Sequence, residues 1–210
     1  MTTQRLLLLG LGTLVLIALI ASGISPYDRT TWWLEVAPVL VAAPLLAGTY
    51  RRFPLTSLLY VLIALHALIL IYGGAYTYAR VPLGFWLEQG FGLDRNPYDK
   101  IGHFAQGFVP VLIAREILLR GGYLTSRGMT NFLAGCVTLA ISALYELIEW
   151  QAAVIMGQGA DEFLGTQGYE WDTQADMGFA LLGAVCALVL LARWHGRQMA
   201  AMPVKPLAAR

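Results

Sequence analysis

Long apolar segments are the feature that most restricts what this chain can fold into. Residues 6–24 contain no charged side chain, and as an α-helix rising roughly 1.5 Å per residue they would cross a bilayer core of roughly 30 Å. Only 13% of the 210 residues are charged, about half the share in soluble domains. The sequence therefore predicts an all-α polytopic membrane protein, a bundle of six transmembrane helices forming a single domain over residues 1–210. The predicted spans cover residues 6–24, 34–50, 55–73, 98–119, 130–156 and 176–194.

The segment between the third and fourth spans, residues 74–97, mixes aromatic with charged side chains and is too polar to cross the bilayer. Tyrosine and tryptophan favour the membrane surface, so we expect an interfacial segment here. The lipid bilayer is the expected partner of the six predicted spans. A net charge of +1 gives no electrostatic basis for binding nucleic acid, so no nucleic-acid partner is expected. Cys136 and Cys186 lie inside apolar runs, which argues against a disulfide framework.

The distribution of Lys and Arg favours a cytoplasmic location for both termini. Basic residues in short loops tend to stay on the cytoplasmic side of a membrane. With the N-terminus inside, ten Lys and Arg residues fall inside and four fall outside, namely Arg29, Arg80, Arg95 and Lys100. The first span is interpreted as an uncleaved anchor, with a cleavable signal peptide as the alternative.

Polar residues inside the predicted spans cluster at one membrane depth. A charged residue at a helix centre costs roughly 2.5 to 3.5 kcal/mol on insertion, so it must be paired, hydrated or functional. Within each helix these residues are three or four positions apart, which places them on one face. The fourth span carries Asp99, Lys100, His103 and Gln106, the fifth carries Glu146 and Glu149, and the sixth begins with Asp172 and Asp176. We expect them to form a pocket that opens to the outside.

Some of these residues also have simpler interpretations. Asp99, Asp172 and Asp176 lie at predicted helix N-termini, where the helix dipole favours a carboxylate, so each is also a candidate for simple capping. Glu146 and Glu149 lie toward the C-terminal end of their helix, where the dipole disfavours negative charge. For these two glutamates, a functional or paired role is the stronger interpretation.

Other polar residues are interpreted as structural or exposed. His66 is alone on the third span and is expected to be a packed histidine. Glu116 and Arg120 are four residues apart, which predicts an ion pair on the surface, and His195 lies in a basic tail and is expected to face water. Three alanines of the sixth span predict a face for close helix packing. They are Ala180, Ala184 and Ala187.

Three segments of the chain also carry a family resemblance: Tyr98–Phe104, Tyr145–Trp150 and Gly165–Met177. They resemble the YjdF family of bacterial inner-membrane proteins, over nearly the whole chain. This resemblance implies a helical protein of the bacterial inner membrane and implies no reaction. More distantly, the order Asp-Lys-x-x-His, then Glu, then Asp-x-x-x-Asp is similar to the pattern of VanZ-like proteins, which are associated with glycopeptide resistance.

The first functional hypothesis is metal-assisted or acid-base chemistry on an envelope lipid or another small amphiphile. A neutral imidazole together with carboxylates can bind a divalent cation such as Zn or Mn, which lowers the pKa of bound water. The expected metal ligands are His103, Glu146, Glu149 and Asp176, with Asp99 orienting His103. The expected catalytic residues are Glu146, Glu149, Asp99 and Asp172, and the expected substrate-binding residues are Lys100 and Gln106.

Two other hypotheses stay open from the sequence. The same groups could bind a ligand, or take up protons in a transport cycle, without any covalent change. Alternatively, Lys100 and His103 could pair with the acids in a buried salt-bridge network that only fixes the register of the helices. A substitution that abolishes function without lowering thermal stability would argue against the structural hypothesis.

Overall fold

The structure is a computed structural model that describes residues 3–156 and 167–202. These residues form seven α-helices and one short 3₁₀ turn, Tyr78–Arg80, and they contain no strand. Every helix except the fourth is long and apolar enough to span a membrane. The prediction of an all-helical polytopic protein with six spans is therefore confirmed. The helices are α1 (Thr3–Ile24), α2 (Arg29–Thr49), α3 (Ser57–Tyr76), α4 (Pro82–Phe91), α5 (Tyr98–Arg120), α6 (Arg127–Met156) and α7 (Asp172–Ala200).

Four helices begin earlier than the apolar pattern indicates, and the difference is largest for α2 and α7, where polar residues form the first turns. Helix α2 begins at Arg29, where the Asp28 side chain accepts a hydrogen bond from the Thr31 backbone N–H at 2.7 Å. This is an N-cap, which satisfies one of the backbone donors that a helix start leaves free. Helix α7 begins at Asp172 and continues to Ala200, well beyond its apolar centre.

Helix α4 is the interfacial segment expected between the third and fourth spans. It is ten residues long, and Trp86 and Phe91 are 69% and 74% exposed. It is followed by Gly92, whose φ of 63° is the left-handed conformation that glycine adopts without strain. The Asn96 side chain then accepts a hydrogen bond from the Tyr98 backbone N–H at 3.0 Å, which supports the first turn of α5.

Helix α5 is central, since it packs against α3, α6 and α7. Its contact with α7 is a close approach of two backbones. A Cβ atom on Gly107 would lie 1.7 Å from the Ala180 carbonyl oxygen, and one on Gly183 would lie 2.1 Å from the Phe104 carbonyl oxygen. The three alanines expected to form a packing face on α7 are all buried. Small residues on both helices therefore hold the acidic start of α7 against the start of α5.

The end of the bundle formed by the C-terminal ends of α5 and α7 contains a second polar cluster. The ion pair predicted between Glu116 and Arg120 is present, but the expectations that it lies on the surface and that His195 faces water are wrong. Glu116, Arg120 and His195 are buried, and neither the ion pair nor the histidine faces water. Arg120 donates a hydrogen bond to Glu116, and the His195 Nε2 atom lies 2.7 Å from a Glu116 oxygen. A spacing of four residues places two side chains on one face of a helix, and that face can point toward a neighbouring helix as well as toward water. In this fold the neighbouring helix is α7, which supplies His195.

This second cluster caps the start of α3. The Thr56 backbone N–H and hydroxyl donate to the Glu116 carboxylate at 3.1 and 2.8 Å. The Leu58 backbone N–H donates to the Gln198 side-chain oxygen at 3.1 Å. Side chains of α5 and α7 thus satisfy backbone donors of α3, which fixes three spans at the end of the bundle opposite to the acidic cluster.

Candidate functional site

The candidate site lies at the end of the bundle where α5 and α7 begin and α6 approaches its C-terminus. Asp99 and His103 occupy one face of α5, and Asp176 faces them from the second turn of α7. All three side chains are buried, with exposures of 4%, 4% and 2%. We call Asp99, His103 and Asp176 the central triad.

The His103 ring is held by neighbours on both of its nitrogen atoms. Its Nε2 atom lies 3.3 Å from an Asp99 oxygen, and its Nδ1 atom lies 3.2 Å from the Gln106 side-chain oxygen. Glu146 on α6 lies 3.8 Å from the same Nδ1 atom. The neighbours on each side decide which nitrogen carries the proton. A histidine with both ring nitrogens in polar contact is fixed in orientation, as a metal ligand or an acid-base group needs to be.

The central triad brings together residue types that could hold a metal ion. One potential ligand atom from each of the three residues lies within 4.8 Å of the other two. His103 and Asp176 were both expected as metal ligands, whereas Asp99 was expected to orient the histidine. Of the other two expected ligands, Glu146 contacts His103, and Glu149 is buried one turn further along α6. The structure therefore brings acids from α5, α6 and α7 to one histidine.

Lys100 is the principal basic partner at the edge of the site. Its Nζ atom lies 2.6 Å from an Asp176 oxygen and 2.8 Å from an Asp172 oxygen, and 3.9 Å from Asp99. Arg95 also pairs with Asp172. Asp172 is therefore engaged by two cations, and it lies on the outer side of the triad. Lys100 uses only one of the two Asp176 oxygens.

Helix α2 contributes a further acid, Glu35, which was not among the site residues predicted from the sequence. It is 2% exposed and lies within electrostatic range of both Asp99 and His103. It is also beside Tyr78, a buried residue of the 3₁₀ turn that joins α3 to α4. Burial, with a smaller contribution from Glu35, raises the pKa of Tyr78 well above its ordinary value, so the phenol stays protonated and can donate. A lone acid inside a predicted span was the signal that could have found Glu35.

Several buried polar atoms around His103 have no hydrogen-bond partner among the residues that the structure describes. They include one carboxylate oxygen each of Glu35, Asp99 and Glu146, together with the Nε2 atom of His66. Buried polar atoms in proteins are nearly always paired, so a group of such atoms calls for a bound ion, water or ligand. His66, expected to be a packed histidine, is within electrostatic range of His103.

The described part of the site carries more acids than bases. Six carboxylates face three basic side chains, so even with a protonated histidine the acids are in excess. The acids are Glu35, Asp99, Glu146, Glu149, Asp172 and Asp176, and the bases are Arg95, Lys100 and His103. Uncompensated carboxylates are costly in a buried environment, and they are stabilised there by bound cations or protons.

Comparison with known proteins gives the family. Residues 7–197 match a family described as "Predicted membrane protein (DUF2238)". The chain belongs to this family. It is also similar to "Inner membrane protein YjdF" of Escherichia coli (strain K12), with 62% identity over 187 residues that cover 89% of each chain. No solved structure matches the chain.

These findings confirm the resemblance to the YjdF family that the three sequence segments indicated. They also confirm the class of protein, because the family is one of membrane proteins and the similar protein is named for the inner membrane. The chain is accordingly an inner-membrane protein, and six helices in the part that the structure describes are long and apolar enough to span a membrane. Neither description names a reaction, so the function has to be argued from the site.

Proposed function

We propose that the central triad of Asp99, His103 and Asp176 binds a divalent cation such as Zn or Mn. The cation, with the surrounding carboxylates, would serve metal-assisted or acid-base chemistry on an envelope lipid or another small amphiphile. The observation that carries this proposal is the grouping of three buried ligand atoms within 4.8 Å of one another. Imidazole and carboxylate ligands together suit Zn and Mn.

The spacing of the ligand atoms supports a cation of this size. Bonds from Zn to nitrogen and oxygen are about 2.0 to 2.2 Å, so neighbouring ligands of a tetrahedral ion are about 3.4 Å apart. The distance from the His103 Nε2 atom to the Asp99 oxygen is 3.3 Å. The Gln106 oxygen, 3.2 Å from Nδ1, would accept the second ring proton and fix the ligating nitrogen. Gln106 would then orient the histidine, in addition to the substrate-binding role expected from the sequence.

The remaining acids have roles consistent with this centre. Glu146 and Glu149 lie beside the triad without belonging to it, so either can act as the base that takes a proton from bound water. Lys100, on the outer side, would hold an anionic head group of the amphiphile while it pairs with Asp172. Asp176 keeps one oxygen free of Lys100, so ion pairing and metal binding are compatible at this residue.

The metal content of purified protein tests the proposal. We expect about one Zn or Mn per chain after loading, measured by inductively coupled plasma mass spectrometry, and loss of this metal in His103→Ala and Asp176→Asn. The matched control is His195→Gln, which alters a buried histidine of the second polar cluster and should leave the metal in place. Folded wild-type protein that stays free of metal after addition of divalent ions would refute the metal centre.

A structural network is the second candidate, and the contacts of Lys100 favour it. Its ammonium group lies within 2.8 Å of oxygens from both Asp172 and Asp176, as a buried network that fixes helix register requires. Thermal unfolding separates the two candidates. In metal-free protein, a purely structural triad predicts that His103→Ala lowers the unfolding temperature. The metal proposal predicts an unchanged unfolding temperature under these conditions, because a bound cation stabilises only the protein that holds it.

We also propose that both termini lie in the cytoplasm, so that the candidate site opens to the outer face of the inner membrane. The support is the excess of Lys and Arg, ten against four, on the side that would be cytoplasmic. Reporter fusions after Arg52 and after Ala200 should report a cytoplasmic location, and a fusion after Tyr169 an external one. The reverse pattern would overturn this orientation.

A further inference from the structure

A groove between α1 and α3 lies at the same end of the bundle as the candidate site. Its volume is about 520 Å³, within the range of about 300 to 1,000 Å³ typical of sites for small molecules. The walls are small residues of α1, such as Ala18 and Ala21, and apolar residues of α3, such as Leu68 and Ile71. Ser25 and Tyr76, at the ends of the two helices, place hydroxyl groups at its upper end.

The groove extends along much of the depth of one leaflet. From Ala18 to Ser25 the chain rises about 10 Å, at about 1.5 Å per residue, which is most of the half-thickness of a bilayer core of about 30 Å. The lining changes along this length from apolar residues in the membrane interior to hydroxyl groups at the surface. This gradient matches a lipid with its chain pointing inward.

Two arginines lie at the upper end of the groove. Arg29 donates to the backbone carbonyls of Gly23 and Ile24, directly before Ser25 of the groove lining. The Arg80 guanidinium lies 4.4 Å from the centre of the Tyr27 ring, and the Tyr27 backbone N–H donates to Ala75 of the lining at 3.0 Å. Arginine forks are well suited to phosphate oxygens.

We propose that this groove binds one phospholipid, with an acyl chain between α1 and α3 and the phosphate group at Arg29 and Arg80. Each part of the groove matches one part of such a lipid. The apolar lining matches the acyl chain, the hydroxyl groups match the glycerol and ester region, and the two guanidinium groups match the phosphate. The inference does not depend on the metal centre. The groove is nevertheless close to the candidate site, because its lining residue Tyr72 packs on Tyr98, 5.8 Å between ring centres, and Tyr98 directly precedes Asp99.

Native mass spectrometry of the full chain tests the proposal, with phosphatidylglycerol as the probe lipid. The groove is filled by Ala21→Phe, which places an aromatic ring at an exposed alanine and should not disturb the core. The matched control is Ala47→Phe, an exposed alanine of α2 near the opposite end. We expect wild type and control to retain one phosphatidylglycerol per chain. In Ala21→Phe the fraction of protein with bound phosphatidylglycerol should fall about tenfold or more. Equal retention in all three proteins would overturn the groove as the site.

The phosphate contact has its own test. The double variant Arg29→Gln/Arg80→Gln should weaken binding of phosphatidylglycerol about tenfold or more, since each basic residue at the surface attracts an anionic head group. Binding of diacylglycerol, which has the same chains without phosphate, should not change. Diacylglycerol binding as tight as phosphatidylglycerol to wild type would overturn the role of the arginines. Metal content should be normal in all of these variants, so a failure of the metal proposal and a failure of this one are distinguishable.

Discussion

The buried carboxylate of Glu116 offers the sharpest test of the packing. It accepts hydrogen bonds from the Thr56 backbone and hydroxyl at 3.1 and 2.8 Å, lies 2.7 Å from His195, and pairs with Arg120. The variant Glu116→Gln keeps the size of the side chain but replaces one acceptor oxygen by a donor. Whichever way the amide points, at least one buried donor is left without an acceptor, at a cost of about 1 to 3 kcal/mol. Arg120 also loses its charge partner, and breaking a buried ion pair costs about 3 to 5 kcal/mol in total.

We therefore expect Glu116→Gln to lower the unfolding midpoint by about 10 °C, at about 2 to 4 °C per kcal/mol for a chain of this length. Thermal unfolding in detergent, followed by circular dichroism, measures this change, with Glu88→Gln as a control outside the cluster. The double variant Glu116→Leu/Arg120→Met removes both charges together and should lose less stability than the sum of the single variants. Unfolding of Glu116→Gln at the wild-type temperature would refute the buried contacts of this carboxylate.

Three further predictions concern the site, the packing and a helix cap. Lys100→Met should tighten the binding of Zn in a calorimetric titration, because the ammonium group of Lys100 repels a cation at the central triad. Unchanged or weaker affinity for Zn would contradict a metal position at the triad. Gly107→Ala should lower the unfolding temperature and loosen the metal site, since its Cβ would lie 1.7 Å from the Ala180 carbonyl oxygen; a variant with wild-type stability would show that α5 and α7 are not in backbone contact. Asp28→Ala should cost about 1 kcal/mol at neutral pH, as for other N-caps. The hydrogen bond from the Thr31 backbone lowers the pKa of Asp28, so this contribution is complete above the ordinary aspartate pKa and is lost as the pH falls through the lowered value. Unfolding curves for both proteins should therefore converge in acid, and a constant difference would contradict the cap.

The spans and much of the site could be predicted because their signals are local in the sequence. An apolar run is sufficient to indicate a membrane helix, and a spacing of three or four residues is sufficient to place Asp99 and His103 on one face. Even the convergence of α5, α6 and α7 followed from the alternating direction of successive spans, which brings the acids to one membrane depth.

The second polar cluster could not be predicted, because its contacts join distant parts of the chain. Glu116 is 60 residues from Thr56 and 79 from His195, and no spacing rule connects them. A lone acid in a predicted span marks Glu35 as unusual, but its position near His103 could not be predicted, because it depends on the packing of α2 on α3 and of α3 on α5. The starts of α2 and α7 were placed too late for another reason, since polar residues form their first turns.

X-ray absorption spectroscopy of Zn-loaded protein tests the central claim most directly, because it reports the atoms bound to the metal. The proposed metal centre predicts one imidazole nitrogen and at least two carboxylate oxygens at about 2.0 to 2.2 Å. It also predicts loss of the imidazole contribution in His103→Ala, under conditions where His195→Gln gives the wild-type spectrum. A spectrum of hydrated, unbound Zn, or one that does not change in His103→Ala, would contradict a metal centre built from Asp99, His103 and Asp176.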